Sequence, residues 1–147
     1  MLKLSERFLE MVKLHASKSY PEECCGFLVG TAAGREKEVL ELLEIENWSE
    51  ENRNRRFMIR PDDYRDAESF AKKKGLDLLG LYHSHPDHPA RPSQFDLEHA
   101  LPWWSYLIIS VEHGNPSNMA SWLLDEDRSR FEEESVLVEA KGNGIME

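Results

Sequence analysis

The sequence has few cysteines. It contains two, Cys24 and Cys25, and they are adjacent in the chain. This arrangement lacks the CxxC spacing of a zinc knuckle or a thiol redox motif, so neither kind of site is predicted there. We expect two ordinary thiols in a reducing compartment.

Basic residues are outnumbered by acidic ones. The chain carries 18 Lys and Arg against 28 Asp and Glu, which gives a formal net charge of −10. A nucleic-acid-binding protein needs a basic face that neutralises phosphates, and binding to an anionic membrane has the same requirement. The composition therefore argues against both partners.

Long apolar runs are also absent from the sequence. No segment approaches the roughly 18 uninterrupted apolar residues of a transmembrane helix. Residues 1–20 are interrupted by charges throughout and lack the apolar stretch of a signal peptide. We therefore expect a cytoplasmic protein.

What the sequence does contain is the composition of a globular domain. Its 147 residues are 40% hydrophobic and 10% aromatic, and a chain of this length can fold around one sizeable core without disulfides. No internal repeat or change of composition divides it, so residues 1–147 are expected to form one domain.

The alternation of helical and strand patterns indicates the fold class. Helices are predicted at residues 4–15, 61–74 and 93–100, and the second is supported by Pro61 at its start and Gly75 after its end. Strands are predicted at residues 24–32, 37–46, 57–59, 76–85, 103–111, 119–124 and 135–140, followed by a frayed GlyAsnGly near the C-terminus. This order predicts an α/β fold, a three-layer sandwich with a mixed β-sheet flanked by helices.

The strand predicted at residues 76–85 carries two histidines at its C-terminal end. His83 and His85 alternate with Ser84, so their side chains point to the same face and can share one metal ion. Asp96 can supply a third ligand if the proline-rich loop after Pro86 returns the next helix to the strand end. Two histidines and one carboxylate leave one tetrahedral position for water, as in a catalytic zinc site.

These patterns also have purely structural interpretations. His-x-His occurs on strands by chance, and Ser93-x-x-Asp96 is a capping box at a helix start. Capping and chemistry are compatible, because an N-cap serine can also aim its hydroxyl at a ligand. Zinc-bound water would still need a base that takes its proton and returns it to a leaving amine, and either Glu22 or Glu23 could supply it.

The whole pattern resembles a known family. The run from His83 through His85 to Pro86, the seven-residue segment 86–92, and then Ser93 to Asp96 resemble the JAMM motif of the MPN+ (Mov34/PAD-1) zinc metalloproteases. Residues 23–30 resemble the family's Glu-x-Cys-Gly strand. The resemblance implies a cytidine deaminase-like fold, Zn²⁺ held by His83, His85 and Asp96, Glu23 as the general base, and Ser93 as the group that stabilises the oxyanion.

The resemblance also implies a substrate class, namely peptide or isopeptide bonds after the C-terminal Gly-Gly of ubiquitin-like proteins. Chain-selective deubiquitinases of the family carry an insertion between two strands that correspond to 103–111 and 119–124 here. The short connection at 112–118 favours the small prokaryotic type, whose expected partner is a ubiquitin-like sulfur-carrier protein.

Two further features have open interpretations. A basic cluster either docks an acidic face of the partner or forms a solvated loop; it consists of Arg53, Arg55, Arg56 and Arg60. His88 either contacts substrate or zinc, or is an exposed loop histidine.

Three other functions are considered. A zinc nucleobase deaminase would need H-x-E and a downstream P-C-x-x-C, and the sequence has neither. A non-catalytic MPN-type binding or assembly module would not need the metal ligands together with Ser93 and Glu23. Metal-dependent hydrolysis of a small-molecule amide stays open, because the shape of the pocket decides it. Zinc itself is inferred from the types of ligand, and other first-row metals bind to the same ligands.

Overall fold

A computed structural model describes residues 1–140 of the chain. Its helices are α1 (Glu6–Ser19), α2 (Pro61–Lys73) and α3 (Gln94–His99). Its strands are β1 (Leu2–Ser5), β2 (Cys25–Ala33), β3 (Glu36–Ile45), β4 (Asp77–Pro86), β5 (Ser105–Glu112), β6 (Asn115–Leu124), β7 (Phe131–Glu134) and β8 (Val136–Glu139). The strands form one sheet in the order β7-β6-β5-β4-β2-β3-β1-β8. Within residues 1–140, no helix has the length and apolar character needed to span a bilayer.

Strand β4 lies near the centre of the sheet. It pairs antiparallel with β2 and parallel with β5, so the sheet is mixed. In this register His83 lies opposite Cys25 on one side and Ile108 on the other. Two hydrogen-bonded ladders hold β4 in register, so side chains at its C-terminal end have fixed positions.

Helices cover both faces of the sheet. On one face, Val12 of α1 packs in a buried cluster with Leu28 and Leu107. On the other face, Ala67 of α2 packs in a second buried cluster with Phe27. Phe27 and Leu28 are neighbours on β2 and therefore point to opposite faces. The predicted α/β fold, with a mixed sheet between helices, is confirmed.

The first predicted helix starts too early. Leu4 belongs to β1, where it is 1% exposed, and β1 pairs in parallel with β3 and β8. The helix begins at Glu6 and is capped by Ser5, whose Oγ accepts a hydrogen bond from the Phe8 N–H at 3.2 Å. Leu4 fits the helical spacing, but pairing with distant strands decides its conformation.

Two other predictions about strands are wrong or incomplete. Residues 57–59 are not part of a strand; the Met58 carbonyl accepts a single backbone hydrogen bond, from Trp48 N–H at 3.0 Å. The charge-rich strand β7 is not predicted by the sequence pattern. The strand predicted at 135–140 is observed as β8, whereas the GlyAsnGly predicted to be frayed lies outside the described residues.

The two edge strands of the sheet are consecutive in the chain. Strand β7 forms one edge and β8 the other, and Ser135 alone separates them. The Ser135 carbonyl accepts a hydrogen bond from Leu2 N–H at 2.9 Å, and the buried Glu134 carboxylate accepts one from Ser121 at 2.7 Å. The sheet is therefore curled until its two edges meet at Ser135.

Candidate metal centre

His83 and His85 lie at the C-terminal end of β4, and each is 1% exposed. Their Nε2 atoms are 3.2 Å apart. The Nδ1 atom of His85 lies 2.7 Å from the Pro89 carbonyl oxygen. A carbonyl oxygen can only accept a hydrogen bond, so Nδ1 carries the proton and Nε2 keeps its lone pair. A backbone carbonyl that fixes the tautomer in this way is typical of a metal-binding histidine.

Asp96 reaches the two histidines from α3. Its Oδ2 atom lies 3.3 Å from Nε2 of His83 and 3.3 Å from Nε2 of His85. The same oxygen accepts a hydrogen bond from Ser93 N–H at 2.8 Å, and Ser93 Oγ accepts one from Asp96 N–H at 3.1 Å. The capping box is thus present, and it orients the Asp96 carboxylate toward the histidines.

The three facing atoms form a nearly equilateral triangle with sides of 3.2, 3.3 and 3.3 Å. Corners of a tetrahedron are about 1.63 bond lengths apart, so zinc bonds of about 2.0–2.1 Å require edges of about 3.3–3.4 Å. Two imidazoles and a carboxylate are also a donor set that zinc accepts. The residues therefore fit a tetrahedral metal ion, and they form a buried group that could hold one.

The charge of Asp96 suits a cation. Burial by itself would raise the pKa of this carboxyl group, but the charge of His83, the contacts with the His83 and His85 rings and the hydrogen bond from Ser93 N–H together lower the pKa well below its usual range. Asp96 is therefore a carboxylate at neutral pH, which is the form that binds a metal.

Glu23 lies beside this triangle, just before β2. It is 2% exposed, and its Oε1 atom has no hydrogen-bond partner among residues 1–140. Burial raises the pKa of Glu23 to about 8, an effect that His85 opposes and Asp96 reinforces. A buried carboxyl group with this pKa can exchange a proton near neutral pH. Glu22, the alternative base, is exposed and faces Arg53 at 3.9 Å.

The loop after β3 holds Glu23 from two sides. The Glu23 N–H donates to the Arg53 carbonyl at 2.7 Å, and the Glu23 carbonyl accepts from Asn47 Nδ2 at 3.1 Å. Asn47 Nδ2 also donates to the Arg56 carbonyl at 2.9 Å, and Asn47 Oδ1 accepts two loop N–H groups at 3.0 and 3.1 Å. Every donor and acceptor of this amide is used. No sequence pattern singles out Asn47, and its only signal is its place after a predicted strand.

An apolar cavity of about 210 Å³ adjoins the metal centre. Its walls include Phe57, Tyr64 and Leu81, and His83 and Asp96 contribute its polar side. The Phe57 ring packs against His83, with ring centroids 4.6 Å apart. Residues 57–59, predicted as a strand, instead form a wall of this cavity and give the site a place for an apolar group.

The four arginines of the basic cluster have different surroundings. Three face acidic side chains: Arg53 lies 3.9 Å from Glu22, Arg56 lies 4.0 Å from Glu51, and Arg60 lies 3.3 Å from Asp63. Arg55 is exposed and makes no ion pair within the described residues. Among these arginines, Arg55 is the one whose charge is free to face a partner.

His88 does not match the interpretation as an exposed histidine. It is half-buried, and its ring stacks on that of His85 with centroids 4.0 Å apart and planes inclined by 18°. Burial lowers the pKa of His88. The sequence gives no signal for this stacking, because it depends on how the loop folds back after β4.

The fold, the buried histidine–aspartate group and the adjacent glutamate together define a class of protein. The chain belongs to the family of prokaryotic homologs of the JAB domain, whose sequence profile matches residues 5–125. A desampylase of Pyrococcus furiosus is 32% identical over 117 residues, which make up 80% of this chain and 76% of that protein. The tail tip assembly protein K of Escherichia phage N15 is 28% identical over 116 residues, or 76% of this chain. The chain spans only 42% of that phage protein.

Solved structures have the same fold. A protein from Desulfitobacterium hafniense matches with a TM-score of 0.84 and 31% identity, covering 96% of this chain and 94% of the other. A structure described as a JAMM metalloprotease-like zinc site in the proteasome and signalosome matches with a TM-score of 0.56 over 94% of this chain and 97% of the other. At 19% identity, this second likeness concerns the fold alone. The resemblance to the JAMM/MPN family is confirmed.

Proposed function

We propose that the chain is a zinc-dependent metallopeptidase or isopeptidase in which His83, His85 and Asp96 hold the metal. The observation that carries this proposal is the triangle of donor atoms with sides of 3.2–3.3 Å, which has the edge length of a tetrahedral zinc site. Membership of the prokaryotic JAB family and the likeness to desampylases support a hydrolase.

Glu23 acts as the general base in this proposal. When bound, zinc supplies a Lewis acid that polarises the scissile carbonyl and lowers the pKa of water. Glu23 accepts a proton from the attacking water and returns it to the leaving amine. Its Oε1 atom is buried and has no partner among residues 1–140, so no competing hydrogen bond has to break before the transfer.

Ser93 stabilises the oxyanion in this proposal. Its Oγ accepts a hydrogen bond from Asp96 N–H, which leaves the hydroxyl hydrogen free to donate to a substrate oxygen. Ser93 and Asp96 are joined by two hydrogen bonds, so the oxyanion donor and one metal ligand are positioned as a unit.

The proposed substrate is a peptide or isopeptide bond after the C-terminal Gly-Gly of a ubiquitin-like protein, with sulfur carriers as the leading case. The name desampylase denotes an enzyme that removes a ubiquitin-like protein, and two such proteins are similar to this chain. Strands β5 and β6 are joined by His113 and Gly114 alone, with φ values of 51° and 87°. The resemblance to the family implies an insertion at this hairpin in chain-selective deubiquitinases, so the short hairpin favours the small prokaryotic type.

Two other functions fit less well. A non-catalytic binding or assembly module has no use for the buried Glu23, because burying a carboxyl group without a partner reduces stability. Hydrolysis of a small-molecule amide would use the same residues and differs only in substrate. A cytidine deaminase-like fold stays a prediction, and the motifs of deaminase chemistry are absent from the sequence.

The test combines metal analysis with cleavage assays. Wild-type protein is expected to contain about one zinc per chain and Asp96→Ala none, because the variant loses one of three protein ligands. Asp66→Ala, which removes an exposed carboxylate on α2, is the control and should keep its zinc. The zinc-loaded wild type should cleave linear and isopeptide-linked conjugates of a ubiquitin-like protein, and mass spectrometry should identify a product that ends in Gly-Gly.

Two results would contradict different parts of this proposal. Wild-type protein that takes up no zinc, even after zinc is added, rules out the metallopeptidase. Zinc-loaded protein that hydrolyses small amides but neither conjugate rules out the proposed substrate while leaving the metal centre in place.

A further inference from the structure

His88 lies beside the metal centre but outside its triangle of donor atoms. Its Nδ1 atom lies 2.9 Å from the Pro86 carbonyl oxygen. Since a carbonyl oxygen only accepts, Nδ1 carries the proton and the lone pair is on Nε2. No residue in the described part of the chain donates a hydrogen bond to that nitrogen. The Pro86 carbonyl therefore holds His88 in a tautomer that can bind a metal.

A second group of candidate ligands overlaps the first. One ligand atom each from Glu23, His85 and His88 lies within 4.8 Å of the others. His85 cannot serve two ions, because its Nδ1 is bonded to the Pro89 carbonyl and its Nε2 faces Asp96 and His83. In the second group, two residues are therefore left to bind a second ion: the Glu23 carboxylate and His88.

The stacking of His85 and His88 excludes a single ion that is shared by both rings. Lone pairs of imidazole nitrogens lie in the ring plane, so two nearly parallel rings cannot both direct a lone pair at one ion. Their centroids are 4.0 Å apart and their planes differ by 18°. An ion on His88 would thus be a different ion from one on His85, and one Glu23 carboxylate oxygen lies within 4.8 Å of a ring nitrogen of each histidine.

We propose that Glu23 and His88 form a second, weaker metal position, and that a zinc ion bound there switches the enzyme off. This inference rests on the proposed function, because it uses the residue assigned as general base. A Glu23 carboxylate that coordinates a cation is a weaker base, because the positive charge of the ion stabilises the ionised carboxylate and disfavours uptake of the proton of water. Two protein ligands in place of three make this position weaker, so it fills only when free zinc is high.

The test measures zinc stoichiometry and activity separately. Equilibrium dialysis against buffered free zinc should give one tight and one weaker zinc per wild-type chain, and His88→Ala should keep only the tight one. His88→Phe keeps a ring that can stack on His85 but removes the ligand, and it should behave like His88→Ala. His113→Asn removes an imidazole from the β5–β6 turn, where asparagine tolerates positive φ, and should bind zinc like wild type.

Activity should follow the same pattern. As free zinc rises, wild-type activity should first appear and then fall by tenfold or more, while both His88 variants should stay at the plateau. If wild type and His88→Phe bind the same number of zinc ions, or lose activity at the same zinc concentration, the second position is overturned and the first remains. If wild type binds no zinc at all, this inference and the proposed function fail together.

Discussion

Glu23→Gln is expected to stabilise the metal-free protein and, at the same time, to inactivate the zinc-loaded enzyme. Glutamine has nearly the same shape as glutamate but stays neutral, whereas an ionised Glu23 would be a buried charge whose Oε1 accepts no hydrogen bond from residues 1–140. Burial raises the pKa of Glu23 from 4.5 to about 8, so the native state keeps a proton that the unfolded chain has already lost.

The sign and size of the effect follow from this difference in pKa. Between pH 4.5 and about 8 the native state binds more protons than the unfolded state, so the stability that Glu23 contributes is highest below pH 4.5 and falls as the pH rises through that window. One pKa unit corresponds to about 1.36 kcal/mol. Between pH 4.5 and pH 7 the free energy of unfolding of wild type should therefore fall by about 3 kcal/mol, a loss that the glutamine variant does not suffer. At pH 7 this difference corresponds to a Tm higher by about 6–12 °C.

Urea unfolding of chelator-treated protein at pH 5, 7 and 8 measures the difference in free energy of unfolding. Glu22→Gln is the control, because the Glu22 side chain is 51% exposed and its replacement should change stability by less than about 0.5 kcal/mol at each pH. In the zinc-loaded protein, Glu23→Gln should lower kcat by about 10²–10⁴-fold without loss of zinc. If Glu23→Gln gained the same stability at pH 5 and at pH 8, burial of a titrating carboxyl group would be refuted as the cause of the gain. If zinc-loaded Glu23→Gln kept full activity, the role of Glu23 as general base would be refuted.

Two further predictions concern the residues that surround the reacting groups. Ser93→Ala should lower the free energy of unfolding by about 1 kcal/mol through loss of the N-cap, and it should lower kcat by about 10²-fold. Ser93→Thr keeps the hydroxyl and should recover most of the stability and most of the kcat. Equal kcat values in the two variants would exclude the oxyanion role. Asn47→Ala leaves two carbonyls and two N–H groups without their side-chain partner, so we expect a loss of about 2–3 kcal/mol in urea unfolding and a lower kcat with zinc still bound. The exposed loop variant Asn54→Ala is its control, and normal kcat in folded Asn47→Ala would show that the loop does not position Glu23.

Features with a local cause could be predicted from the sequence. Helix α2 has proline at its first position and Gly75, with φ +69°, just after its end, and its observed bounds differ from the prediction by one residue. His83 and His85 share a face because strand side chains alternate, and their proximity needs no other information.

Features decided by distant parts of the chain could not be predicted. Leu4 has helical spacing relative to its neighbours, but pairing with β8, from the other end of the described chain, makes it part of a strand. The choice between Glu22 and Glu23 depends on burial, and His88 approaches His85 only because the loop after β4 turns back. Asn47 acts through backbone groups of its loop, which carry no side-chain signature in the sequence.

The meeting of both sheet edges at Ser135 has a consequence for the growing chain. Strand β1 precedes the other strands of the sheet in the chain, but it pairs with β8, and β6 pairs with β7, so one late segment covers both flanks. Until residues 131–139 leave the ribosome, the nascent protein exposes two rows of unpaired N–H and C=O groups, which are templates for aggregation. Shielding by a chaperone should matter most during that interval, when β4 and its histidines have already been made.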